Sequence, residues 1–128
     1  MTGRHHELRR AEEELAAARH LRSGGFAAQA ISRAYYGAFY AAEVALARLG
    51  EARARHSGVI AAFGQLLIRA GDMDPDAGKL LRSLFDRRSG ADYDWIDPPS
   101  DAEAERAIAD AERVVRAVAD WLDRSARP

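Results

Sequence analysis

The sequence predicts an all-α fold, an up-and-down bundle of four to five helices, with residues 1–128 forming one domain. Three observations predict it. Alanine supplies 28 residues while Val, Ile and Thr together supply 11, a balance that favours helices and starves strands. Apolar residues recur at helical spacing in five separate segments. Short breaks bearing Gly or Pro divide those segments, and no repeat or low-complexity tract competes with them.

The first helix, from about His6 to Arg22, places Leu8, Ala11, Leu15, Ala18 and Arg22 on one stripe beside Leu21, with Glu and Arg on its other face. It stops at Gly24-Gly25, a pair suited to a left-handed turn. The second, from about Phe26 to Leu49, holds three charged residues in 24, namely Arg33, Glu43 and Arg48, so it should be buried on more than one side. One of its arcs reads as core: Ala28, Ile31, Tyr35, Ala38, Phe39, Ala42, Ala45, Leu46 and Leu49. The opposite arc holds Phe26, Gln29, Arg33, Tyr36, Gly37, Tyr40 and Val44. Gly37 costs about 1 kcal/mol against Ala inside a helix, which points to a close neighbour on that arc. Another helix of the bundle, a second copy of the chain, and a nucleotide or RNA are the three alternatives.

The third helix, from about Ser57 to Ala70, repeats Val59, Ile60, Phe63, Leu66, Leu67 and Ala70 before Gly71. The fourth follows the cap-like Asp74-Pro75, carries Ala77, Leu80, Leu81, Leu84 and Phe85, and is expected to end near Arg88. The period is lost between Ser89 and Pro99, which reads as a long loop. Ser100 and Glu103 then form a capping box, and Ala104, Ala107, Ile108, Ala111, Val115, Val118 and Leu122 face the last helix inward.

Composition narrows the function. Nineteen basic against 20 acidic residues give a net charge of −1, so there is no overall basic footprint of the kind that coats DNA, RNA or an anionic membrane. The absence of cysteine excludes a disulfide scaffold, a zinc ribbon and a thiol nucleophile. Ala34 to Ala42 is the longest apolar stretch, nine residues against the roughly 20 that span a bilayer, and the first ten residues hold no run of signal-peptide length. A soluble, cytoplasmic protein is the expectation, with no cofactor and no metal site. Asp72, Asp74 and Asp76 alternate like a calcium loop, but Ala77 and Ser83 stand where that loop needs Gly and Glu. They read as a polar turn and a helix cap. Phosphate loops, metal-binding helices and Ser or Cys nucleophile motifs are absent from the sequence.

Three stretches carry a resemblance: Ser32-Arg33-Ala34-Tyr35-Tyr36-Gly37-Ala38-Phe39-Tyr40-Ala41-Ala42, then His56-Ser57-Gly58-Val59-Ile60 with Phe63, then Arg87-Arg88-Ser89-Gly90-Ala91-Asp92-Tyr93. In order and spacing they are similar to the signature stretches of the HEPN family, in its short stand-alone prokaryotic branch, over roughly Leu8 to Leu122. The resemblance implies a helical bundle that forms a homodimer, with a minimal nucleotidyltransferase as partner in a toxin–antitoxin-like module. It also implies a nucleotide or RNA ligand, because many relatives are metal-independent ribonucleases.

Those ribonucleases use an arginine followed, after roughly four to six residues, by a histidine, which pairs a fixed positive charge with a group that titrates near neutrality. Here the histidines are His5, His6, His20 and His56, and none follows an arginine at that distance. After Arg88 the matching positions are Tyr93, Asp94 and Trp95, and after Arg87 they are Asp92, Tyr93 and Asp94. Tyrosine near pKa 10 and aspartate near about 3.9 carry protons poorly at neutral pH. The catalytic candidates are therefore Arg88 and His56, brought together in space. Arg33, Tyr36, Tyr40, Asp92 and Tyr93 are the candidates for nucleotide or RNA binding. Two further readings stand beside these: an Arg88–Asp92 ion pair that is purely structural, and Tyr93 as an acceptor of adenylate from the partner enzyme, which the resemblance implies.

Overall fold

The computed structural model describes residues 5–93 and 96–125, without the side chains of residues 92 and 93. A 3-10 turn, His6–Leu8, leads into α1 (Arg9–Ser23); α2 (Ala27–Arg48), α3 (His56–Phe63), α4 (Ala77–Tyr93) and α5 (Asp101–Ser125) follow, with a π-helical turn, Gly64–Ile68, after α3. All regular structure among the described residues is helical, as the alanine-rich composition predicts.

The central element is α2, which packs against each of the other four helices. Ala30, Ala34, Ala38, Ala41, Ala42 and Ala45 are all buried on it, and these small side chains allow neighbouring backbones to approach from several directions. The larger core groups interleave with them: Ile31, Tyr35 and Leu46 from α2, Val59 and Phe63 from α3, Leu81 and Leu84 from α4, and Val114, Val118 and Leu122 from α5. The neighbour that Gly37 calls for is α1. A Cβ built on Gly37 would stand 2.9 Å from Leu15 Cδ2 and 3.1 Å from the backbone oxygen of Ala11. Of the three alternatives for that position, a helix of the same bundle is the one observed.

Three sequence expectations need correction. The third helix is α-helical only to Phe63, because the Arg69 N–H bonds to the Gly64 carbonyl, five residues back, at 3.0 Å. The extra residue in that turn rotates the side chains beyond it: Leu67 is buried, Leu66 and Ala70 are exposed, and Ile68 packs on the core where Gly78 leaves room for it. The fourth helix runs to Tyr93, so the first part of the expected Ser89–Pro99 loop is helix. Ser89 hydrogen-bonds back to the Phe85 carbonyl at 3.2 Å, Ala91 packs on the core, and no proline intervenes before Pro98. Finally, Ala28 is half-buried and Leu49 is exposed, so the core arc of α2 is centred slightly away from both.

The predicted caps are present. Ser100 Oγ accepts from the Glu103 N–H at 3.1 Å and the Glu103 carboxylate accepts from the Ser100 N–H at 3.3 Å, starting α5. Gly25, at φ 88°, lets the chain leave α1, and the Phe26 N–H closes on the Leu21 carbonyl at 2.9 Å. Asp74 accepts from the Asp76 N–H at 3.0 Å, and both aspartates grip Arg113 of α5, at 2.7 and 3.0 Å. Arg124 also reaches the Asp72 carbonyl, so this aspartate run is a structural turn docked on α5. Arg19–Glu112, Arg22–Glu105 and Arg87–Asp110 add bridges from α1 and α4 to α5. As surface pairs each is worth under about 1 kcal/mol, and together they fix the register of the helices.

Candidate functional site

One turn after another of α2 puts Arg33, Tyr36 and Tyr40 on a single stripe, and Tyr36 is its hub. The Arg33 guanidinium lies over the Tyr36 ring with Cζ 4.8 Å from the centroid. Arg88, from α4, stands 5.6 Å from the same centroid, and its Nη2 donates to the Tyr36 hydroxyl at 3.4 Å. His56, the first residue of α3, meets the ring edge-on at 5.7 Å. Tyr40 continues the stripe, 5.7 Å from Tyr36, with Arg10 of α1 at 4.8 Å over its ring. Each cation–aromatic contact contributes about 0.5–1 kcal/mol at a half-exposed position.

His56 is held on two sides. Its ring stacks on Phe39 at 4.1 Å between centroids, and Nδ1 is 2.8 Å from the Tyr35 hydroxyl. Tyr35 is wholly buried, and burial pushes its hydroxyl far above the ordinary tyrosine range, with the charge of Arg88 opposing. That hydroxyl stays neutral and keeps its hydrogen, and the other imidazole nitrogen, Nε2, is not engaged by it. Glu43, one turn beyond Phe39, is raised above the usual carboxylate range by partial desolvation, against the pull of His56.

Arg33, Tyr36, Tyr40, His56 and Arg88 thus converge on one half-buried patch built by α2, the start of α3 and the C-terminal half of α4. Arg33 also lines a cavity of about 420 Å³ with Leu21, Ala28, Gln29, Ser32 and Ala91. The side chains of Asp92 and Tyr93 lie outside the described residues, and with them the expected Arg88–Asp92 pair and the acceptor reading of Tyr93. Among the described residues no group of three or more His, Asp or Glu side chains is placed to hold a metal ion.

Two residues of the patch escape sequence reasoning. Glu14 of α1 is buried at 6% exposure, and its carboxylate receives Arg33 Nη1 at 2.9 Å on one oxygen and Arg10 Nε at 3.2 Å on the other. The signal was present: Glu14 stands between Ala11 and Ala18 on the apolar stripe of α1, and Arg10 precedes it by one helical turn.

The fold and the patch define an all-α bundle with a half-buried arginine–tyrosine face. The model of the HEPN domain matches residues 5–121, and the chain belongs to the HEPN family. It is 34% identical, over 82% of its length and 78% of the relative's, to the protein of Methanocaldococcus jannaschii named "Putative toxin MJ0605". It is 32% identical to "UPF0332 protein glr0978" of Gloeobacter violaceus over 88% of this chain and 90% of that one. A "UPF0332 protein" of Thermotoga maritima is 34% identical over 66% of this chain and 64% of its own. No helix among the described residues is long and apolar enough to cross a membrane.

Proposed function

We propose that this chain is the HEPN component of a cytoplasmic toxin–antitoxin-like module, a homodimeric binding and regulatory partner of a minimal nucleotidyltransferase whose arginine–tyrosine face takes the phosphates of a nucleotide or RNA. One observation carries the ligand reading: Arg33 and Arg88, on different helices, approach the same Tyr36 ring. Guanidinium forks match phosphate oxygens bidentately, and a half-buried aromatic beside them offers a base a surface to stack on. The relatives named as toxins support the module, and family membership supports the partner.

The test is equilibrium binding of fluorescein-labelled single-stranded RNA and of ATP to the wild-type chain, Arg33→Ala and Arg88→Ala. Each substitution is expected to weaken binding about tenfold, the loss of one charge-assisted contact. Unchanged affinity in both rejects the face as the ligand site. Co-expression with a minimal nucleotidyltransferase encoded beside the gene tests the partner: co-purification supports it, and separate elution rejects it.

A second reading, a metal-independent ribonuclease, has its own observation: His56 and Arg88 both stand within 6 Å of the Tyr36 ring. His56 would take the 2′-hydroxyl proton as that oxygen attacks phosphorus and the bond to the 5′ oxygen breaks, giving a 2′,3′-cyclic phosphate and a 5′-hydroxyl that takes its proton from water, with Arg88 on the phosphate oxygens. RNA incubated with chelator decides it. Cleavage that disappears in His56→Ala and in Arg88→Ala supports the ribonuclease, and intact RNA leaves the binding role.

A further inference from the structure

We infer that Glu14 is a positioning residue of the arginine–tyrosine face, one buried carboxylate that sets the Arg10 and Arg33 guanidiniums side by side for a phosphate-bearing ligand. The inference rests on the ligand reading proposed above and adds to it two residues, Glu14 and Arg10.

Among the described residues Glu14 is the only charged side chain that is buried. A carboxylate taken out of water on the apolar stripe of α1 costs stability, and a well-packed apolar group in its place would often be neutral or better. Its two oxygens are divided between two arginines from different helices, Arg10 of α1 and Arg33 of α2. Each of those guanidiniums is laid over a different tyrosine, Arg10 over Tyr40 and Arg33 over Tyr36, both at 4.8 Å. The tyrosines are successive turns of one helix with ring centroids 5.7 Å apart. The arrangement is therefore two repeated layers tied at the back by a single acid.

The arginine side chains themselves are not buried: Arg10 is 63% exposed and Arg33 36%. Glu14 uses one nitrogen of each, and Arg10 spends a second on the Tyr40 hydroxyl at 3.5 Å, so donors of both forks still face outward. A long side chain fixed at its head before binding loses less rotamer entropy when the ligand arrives. Glu14 also removes one positive charge from the patch, so bulk electrostatics and positioning pull affinity in opposite directions.

That opposition makes the test decisive. Affinity for a fluorescein-labelled single-stranded RNA is measured at fixed salt for the wild-type chain and for Glu14→Gln, which keeps size but removes the charge and replaces one acceptor oxygen with an NH2 donor, so that the side chain can receive only one of the two forks. Positioning predicts about tenfold weaker binding, although the protein has become more positive. In an Arg10→Ala/Arg33→Ala background the same substitution is expected to cause no loss. Equal or tighter binding by Glu14→Gln overturns the inference and leaves Glu14 a counter-charge. If Glu14→Gln does not fold, Arg10→Lys/Arg33→Lys replaces it, conserving both charges while losing both forks; wild-type affinity there overturns the inference equally. Arg88→Ala runs in parallel, because Arg88 is not one of Glu14's partners. Binding that Arg88→Ala weakens while Glu14→Gln does not defeats the Glu14 inference alone. No RNA binding by the wild-type chain defeats the ligand reading and this inference with it.

Discussion

The hydroxyl of Tyr35, fully enclosed in α2, lies 2.8 Å from Nδ1 of His56 at the start of α3. This contact joins the core to the half-buried arginine–tyrosine face. Tyr35→Phe removes it while conserving the ring, and it leaves the half-buried imidazole nitrogen without that partner. A loss of about 1–2 kcal/mol is expected, measured as a lower urea midpoint with an unchanged slope. An unchanged midpoint would show that water satisfies His56 equally well.

Gly37→Ala tests the close approach of α1 and α2. Helix propensity alone favours alanine by about 1 kcal/mol. The added methyl, however, meets Leu15 Cδ2 at 2.9 Å and the Ala11 backbone oxygen at 3.1 Å, and relieving such overpacking costs about 1–3 kcal/mol. A net loss in thermal midpoint is therefore expected, and a gain would mean that α1 shifts at little cost.

Acid should weaken the turn before α4. Hydrogen bonds from Arg113 and from the Asp76 N–H hold the Asp74 carboxyl below its ordinary 3.8. Between the folded value and 3.8 the unfolded chain binds more protons, so the contribution is complete above 3.8 and is lost as pH falls through the folded value. Thermal midpoints of the wild-type chain and Asp74→Asn should differ near neutrality and converge in acid. A gap that persists at the lowest pH would contradict this.

The capping box offers a simpler check on α5. Ser100→Ala removes the acceptor of the Glu103 N–H and should cost about 1 kcal/mol by denaturant titration. No loss would show that the helix start is satisfied by solvent alone.

Much of this molecule was legible in its sequence because helical periodicity reports burial directly. Val115, Val118 and Leu122 lie where the period places them, and Ser100 and Glu103 form the cap their spacing announces. The π turn at Gly64–Ile68 was not legible, since one extra residue in a turn leaves no mark in a pattern of apolar spacing. The extension of α4 to Tyr93 is not legible either, because Ser, Gly and Asp near Arg88 suggest a turn, whereas Ser89 bonds within the helix. The meeting of Arg33, Tyr36, His56 and Arg88 followed from helix faces and the family resemblance together. Glu14 is not legible because an acid among the Glu and Arg residues of α1 reads as solvated, whereas in the fold it is buried and receives Arg33 from α2.

The salt dependence of RNA binding tests the central claim most directly. For a single strand the slope of log affinity against log salt is about −0.7 per phosphate neutralised. If Arg33 and Arg88 contact phosphates, Arg33→Ala/Arg88→Ala should bind more weakly and flatten that slope by roughly 1.4. A slope identical to that of the wild-type chain would show that the ligand binds elsewhere.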